Sequence, residues 1–326
     1  MKAYVVQNGE YKMKEVEEPS VEGNEVKVQL KTAGLNHRDL MIKQRVGTTE
    51  TPYILGSDGA GVVVEAGVDC SRFAVGDEVI INPGLNWYEK SEAPPENFEI
   101  AGVPYPGTFA EKMVISEDFV EKKPSHFSWS EAGVFTLSGL TGYRALFTQG
   151  KIKESDTLFI PGAGGGVNSF IILLAKEIGA KVITTSRDKQ KLKQAQEKLG
   201  YDVGILTEDN WVEKLGDETV DLVIESIGGK TFNRSLEVLK KGGRIVTYGS
   251  STNDEITFDL RKFFYGQYRM TGSTMGSREE LHELLSFVEQ HDIKPVIDKQ
   301  FAFSNIDKAF DYLGKQNQLG KVAVSF

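Results

Sequence analysis

The residues best suited to chemistry lie in a glycine-rich turn and at the end of the strand that follows it. Leu158-Phe159-Ile160 is a short apolar run, and Gly162-Ala163-Gly164-Gly165-Gly166 turns the chain. Residues 170–178 carry an apolar helix pattern, and Lys181-Val-Ile-Thr-Thr-Ser186 is β-branched. Strand, glycines, helix and strand within about 30 residues form the βαβ unit that binds a dinucleotide. The glycines let the backbone pass close to a pyrophosphate, and the helix N-terminus offers free N–H groups with a partial positive charge. The GxGxxG spacing is met loosely, because Val167 stands at the third glycine of Gly162-x-Gly164-x-x-Val167. Asn168, one place on, could cap the helix with its side chain.

The end of the second strand faces the cofactor's ribose. An Asp or Glu there would accept hydrogen bonds from both ribose hydroxyls of NAD. Ser186 is followed instead by Arg187, and Asp188 comes too late for the acid position. Ser and Arg suit a 2′-phosphate, which predicts NADPH. The bland alternative is a polar strand end, with Lys189, Lys191 and Lys193 as a solvated helix face.

The elements around this unit fall into three textures. Residues 1–125 are rich in strands: Glu25-Val-Lys-Val-Gln-Leu-Lys31 alternates with period two, and Gly59-Ala-Gly-Val-Val-Val-Glu65 and Gly76-Asp-Glu-Val-Ile-Ile81 follow glycines. Residues 82–107 hold Pro83, Pro94, Pro95, Pro104 and Pro106 and read as a long surface loop. Trp87, Tyr88 and Phe98 within it could line a pocket for flat substrates or fasten the lobe to its own domain. Residues 126–274 alternate helices and strands, which predicts a doubly wound, mostly parallel Rossmann sheet. Residues 275–326 return to the first style, with the closing strand Lys321-Val-Ala-Val-Ser-Phe326 rejoining residues 1–125. The fold class is therefore α/β.

Composition excludes several roles. The 326 residues include 47 acidic and 38 basic side chains, a net charge of −9. Such a surface repels nucleic acid and anionic membranes. No apolar run approaches the ~20 residues that span a bilayer. Cys70 is the only cysteine, so no intramolecular disulfide forms. With no secretory signal at the start, a reducing, cytoplasmic setting is expected.

Three further segments carry a family resemblance. Thr32-Ala-Gly-Leu-Asn-His-Arg-Asp39, Gly56-Ser-Asp-Gly-Ala-Gly-Val-Val-Val-Glu-Ala-Gly67 and Leu137-Ser-Gly-Leu-Thr-Gly-Tyr-Arg144, with the βαβ unit, resemble the medium-chain dehydrogenase/reductase superfamily over essentially the whole chain. The resemblance implies a β-rich GroES-like catalytic domain (residues 1–125 and 275–326) beside a Rossmann NADPH-binding domain (126–274). In the zinc enzymes of that family a Cys, a His and a Cys hold the catalytic metal. The corresponding positions here are Asn36, Ser57 and Leu137, which are poor ligands or none. The lobe at 82–107, where the family's structural zinc takes four cysteines, has no cysteine. The pattern resembles the zinc-free branch of quinone oxidoreductases and enone or alkenal reductases. His37 is then a structural or cofactor neighbour rather than a ligand, and the relay that begins at Arg38 in the zinc enzymes is absent.

The resemblance assigns roles by position. Asn36 would orient or polarise the acceptor, and Thr141 would face the nicotinamide. Gly164, Gly165, Gly166, Val167 and Asn168 would lie under the pyrophosphate, and Ser186, Arg187 and Lys191 would hold the 2′-phosphate. Tyr248, Gly249 and Ser250 would pass the adenosine, while Ser273, Met275 and Gly276 would meet the carboxamide. Lys321 would reach the phosphates from the last strand. Read apart from the resemblance, Asn36 could simply hold a loop, Asp39 suits a helix anchor, and Asp58 and Glu65 suit ion pairs. The expected activity is hydride transfer from NADPH to a quinone or α,β-unsaturated carbonyl, a small-molecule substrate. The alternatives are a zinc-free alcohol or aldehyde reductase and a non-catalytic NADPH-binding sensor. The aromatic-rich segment 257–265 suggests a homodimer through the sheet edge.

Overall fold

The structure is a computed structural model that describes all residues, 1–326. The chain divides into two compact units, Met1–Leu140 with Gly276–Phe326, and Thr141–Met275.

The first unit is built on a seven-stranded sheet. Its spatial order is Val120–Lys122, Glu78–Ile81, Asp58–Ala66, Glu25–Leu35, Lys321–Ser325 and Ile297–Ala302, with Lys112–Ser116 also pairing with Glu25–Leu35. The period-two pattern of Glu25–Leu35 puts Val26, Val28 and Leu30 against Val63, Val79 and Ile81 in a dry core. Each such fully buried side chain contributes about 1.5–3 kcal/mol. Two registers then fix the site. Lys321–Ser325 runs antiparallel to Glu25–Leu35 with Val322 opposite Leu35, and Asp58 lies opposite Gly34 on the other side. Asn36, Asp58 and Lys321 thus come to the same end of three neighbouring strands.

The unit boundary falls at Leu140, later than the change of texture at 125. The reason is a close approach of backbones. The short helix Trp129–Gly133 crosses the central strand so tightly that a Cβ on Gly133 would lie 2.7 Å from the Thr32 side chain. The lobe at 82–107 also departs from a plain surface loop. Gly84–Leu85 and Glu99–Ile100 pair antiparallel. Trp87 is buried, packs edge-on to Phe98 at 5.2 Å and donates its ring N–H to Ser91. These ring contacts hold the lobe together, and the Arg278 N–H, donating to the Trp87 carbonyl at 2.8 Å, fastens it to its own domain.

The second unit holds six parallel strands in the order Val203–Leu206, Lys181–Ser186, Thr157–Ile160, Val220–Glu225, Leu239–Thr247, Arg269–Gly272. The chain enters in the middle, winds one way, then reverses at the seam between Thr157–Ile160 and Val220–Glu225. That seam is the topological switch point of a doubly wound sheet, outside whose carboxyl ends ligands bind. Helix Gly166–Glu177 follows the glycine turn and buries Phe170, Ile171, Leu174 and Ala175. Trp211, Phe159, Ile183, Val223 and Ile245 fill a core on this sheet. No helix is long and apolar enough to cross a membrane.

Candidate functional site

Asn36, Asp58, Ser138 and Lys321 form one buried polar cluster in the first unit, with 6%, 0%, 2% and 3% of their surface exposed. The Lys321 ammonium donates to Asn36 Oδ1 at 2.5 Å, Ser138 Oγ at 2.9 Å and Asp58 Oδ2 at 3.1 Å. These three bonds use all its hydrogens. The Asn36 amide donates to Asp58 Oδ2 at 2.9 Å and to the Gly34 carbonyl at 3.5 Å. The other carboxylate oxygen of Asp58 accepts from Thr136 Oγ1 at 2.9 Å and from the Leu137 N–H at 2.6 Å. Every strong donor and acceptor of the cluster is therefore engaged, the condition under which a buried polar network is rigid rather than costly.

Two expectations change here. Lys321 is spent inside this cluster and has no hydrogen left for a phosphate. Asn36 has no free N–H with which to polarise an acceptor. The ion-pair reading of Asp58 and Glu65 fits the contacts, since Asp58 meets Lys321 and Glu65 meets Lys27 at 2.7 Å. Of the three ligand positions implied by resemblance, Ser57 donates to the Ala101 carbonyl at 2.7 Å and accepts from Arg38, and Leu137 offers only its backbone N–H. The polar side chain is that of Ser138, one residue on, which sequence reasoning passed over along with Thr136. His37 is exposed.

Asp39 stands beside the cluster at the start of helix His37–Val46 and is the anchor expected of it. Its Oδ2 accepts the Asn36 N–H at 2.8 Å, while Oδ1 is buried without a partner. Burial pushes its carboxyl up to about 6, and the nearby Asp58 charge pushes the same way. Arg38, the Asn36 N–H and Lys321 pull against that rise without cancelling it.

In the second unit the glycine turn is held open from both sides. Gly162 sits at φ +89°, where L side chains are strained, and its N–H donates to Thr185 Oγ1 at 3.1 Å. A Cβ on Gly165 would meet only the Asn168 side chain, at 3.6 Å. Asn168 does not cap the helix. It lies three residues past Gly165, which holds the cap position, and its amide donates to the carbonyls of Pro161 at 2.9 Å and Gly162 at 2.7 Å. Its Oδ1 accepts from the Tyr248 hydroxyl at 2.5 Å. Burial raises the pKa of that phenol far above its usual value, so the hydroxyl remains a donor. Asn168 thus ties the glycine turn to Tyr248.

Most of the other candidate residues of this unit follow carboxyl ends of its strands. Ser186 closes Lys181–Ser186, buried, with its Oγ accepting the Asp188 N–H at 3.3 Å. Arg187 is exposed, and Lys191 lies half-buried in helix Lys189–Leu199. Gly249 and Ser250 are exposed beyond Leu239–Thr247, and Ser250 donates to the Asn253 carbonyl at 2.6 Å. Ser273 follows Arg269–Gly272 with a buried hydroxyl that has no partner, and Met275 is buried beside it in sequence. Thr141 is buried in helix Thr136–Tyr143. Gly276 opens the return of the chain to the first unit, where a Cβ would lie 2.7 Å from Leu140. Glu225, not singled out from sequence, is a buried carboxylate that takes the N–H groups of Ile227 and Gly228 and the hydroxyls of Thr231 and Ser235. It fixes the turn at the end of Val220–Glu225.

These features fit a nicotinamide dinucleotide. The turn leaves room for a pyrophosphate, the first helical N–H groups have no i−4 partner, and the Ser273 hydroxyl is an orphan suited to an amide.

Comparison with known proteins agrees with this architecture. Residues 22–125 match the alcohol dehydrogenase GroES-like domain, and residues 166–290 match the zinc-binding dehydrogenase domain. The zinc-type alcohol dehydrogenase-like protein YogA of Leptosphaeria maculans is 31% identical, over 95% of this chain and 92% of its own. The acryloyl-coenzyme A reductase of Sulfurisphaera tokodaii is 30% identical, over 99% of both. A crystal structure of an NAD-dependent alcohol dehydrogenase superposes with a TM-score of 0.92 at 30% identity, covering 100% of both chains. The chain belongs to the medium-chain dehydrogenase/reductase family of oxidoreductases.

Proposed function

We propose that this oxidoreductase uses NADPH to reduce a conjugated acceptor, either a quinone or an α,β-unsaturated carbonyl or thioester. The observation that carries the reading is the cluster at Asn36. At Asn36, one of the positions where the resemblance places a zinc ligand, this chain has an amide, a hydroxyl and a carboxylate closed around one ammonium. Without a Lewis acid, simple alcohol oxidation loses its main aid. A conjugated acceptor needs less help, because the charge that follows hydride addition spreads to a distant oxygen.

The bound reduced nicotinamide supplies the hydride. The chain's own residues bind and orient it. Gly164, Gly165, Gly166, Val167 and Asn168 lie under the pyrophosphate at the positive end of the helix dipole, with the Gly165 N–H itself donating to the Gly162 carbonyl at 3.4 Å. Ser186, Arg187 and Lys191 bind the 2′-phosphate, the exposed Arg187 offering a planar fork to it. Tyr248, Gly249 and Ser250 flank the adenosine. Ser273 donates to or accepts from the carboxamide, with Met275 and Gly276 shaping its approach, and Thr141 sets the nicotinamide face. Asn36 acts through Lys321 and Asp58, since both its N–H groups are engaged. Support for the substrate class comes from the acryloyl-coenzyme A reductase at 30% identity.

A second reading, reduction of simple aldehydes and ketones, is favoured by the likeness to the NAD-dependent alcohol dehydrogenase. Steady-state NADPH oxidation against quinones, 2-enals, enones, enoyl thioesters and saturated aldehydes tests both. Turnover of conjugated acceptors supports the proposal. Activity confined to saturated aldehydes supports the second reading. Bound NADPH without turnover on any acceptor favours a sensor and rejects both.

Assembly as a homodimer fits the exposed apolar side chains of Leu260, Phe264, Tyr265 and Met270 beside the open edge of Arg269–Gly272. An unpaired strand edge invites pairing with another copy. Sedimentation at twice the monomer mass is the expected result, and a monomer at micromolar concentration would reject it. A reducing cytoplasm suits the lone half-buried Cys70, and localisation of a tagged protein tests it.

A further inference from the structure

We infer that the Arg38 guanidinium is the cation that receives the acceptor's oxygen as that oxygen gains negative charge. The conjugated acceptor is taken from the reading above, on which the identity of the oxygen rests. Arg38 is half-buried near the start of helix His37–Val46. Its Nη1 is pinned, donating to Ser57 Oγ at 2.5 Å and to the Ala101 carbonyl at 3.0 Å. Ser57 and Ala101 are fully buried, and Ser57 spends its own hydrogen on the same carbonyl at 2.7 Å. Glycines let the two backbones close on each other there. A Cβ on Gly102 would lie 2.9 Å from the Gly56 carbonyl oxygen, and one on Gly107 2.3 Å from it.

The pin uses only Nη1. Nε and Nη2 carry the other N–H groups of the fork, and no protein atom accepts from them. Nε–H and one Nη2–H lie parallel along one edge, the pair that meets a planar oxyanion. No carboxylate forms an ion pair with Arg38. Asp58 is spent on Lys321, and Asp39 turns one oxygen to the Asn36 N–H. Burial pushes the pKa of Arg38 down, and the Arg45 charge pushes the same way, while Asp39 and Asp58 pull against them from a distance. A cation partly stripped of water and without a bonded counter-ion gains most from an incoming oxyanion.

Position supplies the occupant. Arg38 follows Asn36 by two residues and touches Ser57, and the resemblance places ligands of the catalytic metal at both positions, so Arg38 stands on the acceptor's side. Asn36 has no N–H to give, whereas Arg38 has an open edge. Hydride adds with its electron pair to the β-carbon, the C=C pair moves between the α-carbon and the carbonyl carbon, and the C=O pair comes to rest on oxygen. The α-carbon then takes a proton from water, which restores the carbonyl and leaves the cofactor oxidised. Arg38 holds the oxygen throughout and keeps its own protons, since a guanidinium is not deprotonated in a protein.

The test uses the full-length protein with NADP⁺ and two probes, butanoate and its uncharged isostere butanamide, titrated by ligand-observed NMR. Native protein should bind butanoate about tenfold more tightly than butanamide, the worth of charge-assisted bonds. Arg38→Met should lose that preference, Arg38→Lys should keep a reduced one, and Ser57→Ala, which leaves the open edge intact, should retain it. Equal binding of both probes by native protein, or a preference that survives in Arg38→Met, would overturn the assignment. Where thermal melting shows Arg38→Met to be unfolded, Arg38→Lys decides, and an undiminished preference there would overturn it equally. Turnover then identifies the oxyanion. On a neutral enone Arg38→Met should lower kcat about a hundredfold, as loss of an oxyanion donor does, with KM for NADPH unchanged. A loss confined to KM for acceptors that carry their own carboxylate would show that Arg38 reads substrate charge, and would overturn its role toward the enolate. Inactivity on every acceptor, with the butanoate preference intact, would reject the conjugated acceptor and leave the oxyanion site standing.

Discussion

Lys321 and Asp58 meet at 3.1 Å, sealed from solvent although 263 positions apart in the chain. Strand register alone brings them together, because the last strand of the protein inserts beside Glu25–Leu35. A buried pair of this kind contributes little over an apolar substitute, but half of it is costly. Asp58→Asn with Lys321 intact should lower unfolding stability by about 3–5 kcal/mol. Urea denaturation measures it, and a loss below about 1 kcal/mol would contradict the network described here.

Arg187 governs the choice of cofactor. Arg187→Ala should raise KM for NADPH about ten- to hundredfold, the worth of charge-assisted bonds to a phosphate. Its kcat should change little and KM for NADH hardly at all. Equal losses with both cofactors would show that Arg187 does not meet the 2′-phosphate.

Asn168 uses donor and acceptor at once, so its isostere is informative. Asn168→Asp keeps the shape and removes the two N–H groups that hold the Pro161 and Gly162 carbonyls. The carboxylate would then face two carbonyl oxygens. A loss of about 1–3 kcal/mol in stability and weaker NADPH binding, read by fluorescence titration, are expected. Unchanged affinity would mean that the glycine turn keeps its shape without this tie.

Asp39 predicts a specific pH dependence. Its carboxyl titrates near 6 in the folded chain, against an ordinary value of 3.8. Below about pH 4 it is protonated in both states. Between these values the folded form keeps a proton that the unfolded chain has released, so its contribution to stability falls as pH rises. Subtracting Asp39→Asn isolates the effect. The native protein should lose stability relative to the variant by up to about 1.4 kcal/mol per pH unit across this window. A difference independent of pH would refute the raised pKa.

Much of this was legible in sequence where local pattern and local chemistry coincide. Period-two alternation placed Val26, Val28 and Leu30 in a core, and the run from Leu158 to Ser186 spelled out the βαβ unit. The illegible parts depend on partners far away in the chain. Nothing near Lys321 tells that it turns inward to Asn36 rather than outward to a phosphate. Ser138 was overlooked beside Leu137 because one helical step decides which side chain faces Asp58. Asn168 looked like a cap because caps are the common use of Asn at a helix start, and its partner Tyr248 lies 80 residues on. Trp87 sits in a proline-rich stretch whose composition resembles exposed loop, yet its ring is buried against Phe98.

Every role proposed for these residues serves hydride transfer from NADPH to a conjugated acceptor. It is tested most directly by following deuterium from NADPH labelled at nicotinamide C4 into a 2-enal or enoyl thioester, with a chelator present throughout. Deuterium on the carbon β to the carbonyl, a saturated product, and a rate indifferent to the chelator are expected. Deuterium on the carbonyl carbon with formation of an allylic alcohol, or activity abolished by the chelator and restored by zinc, would contradict it.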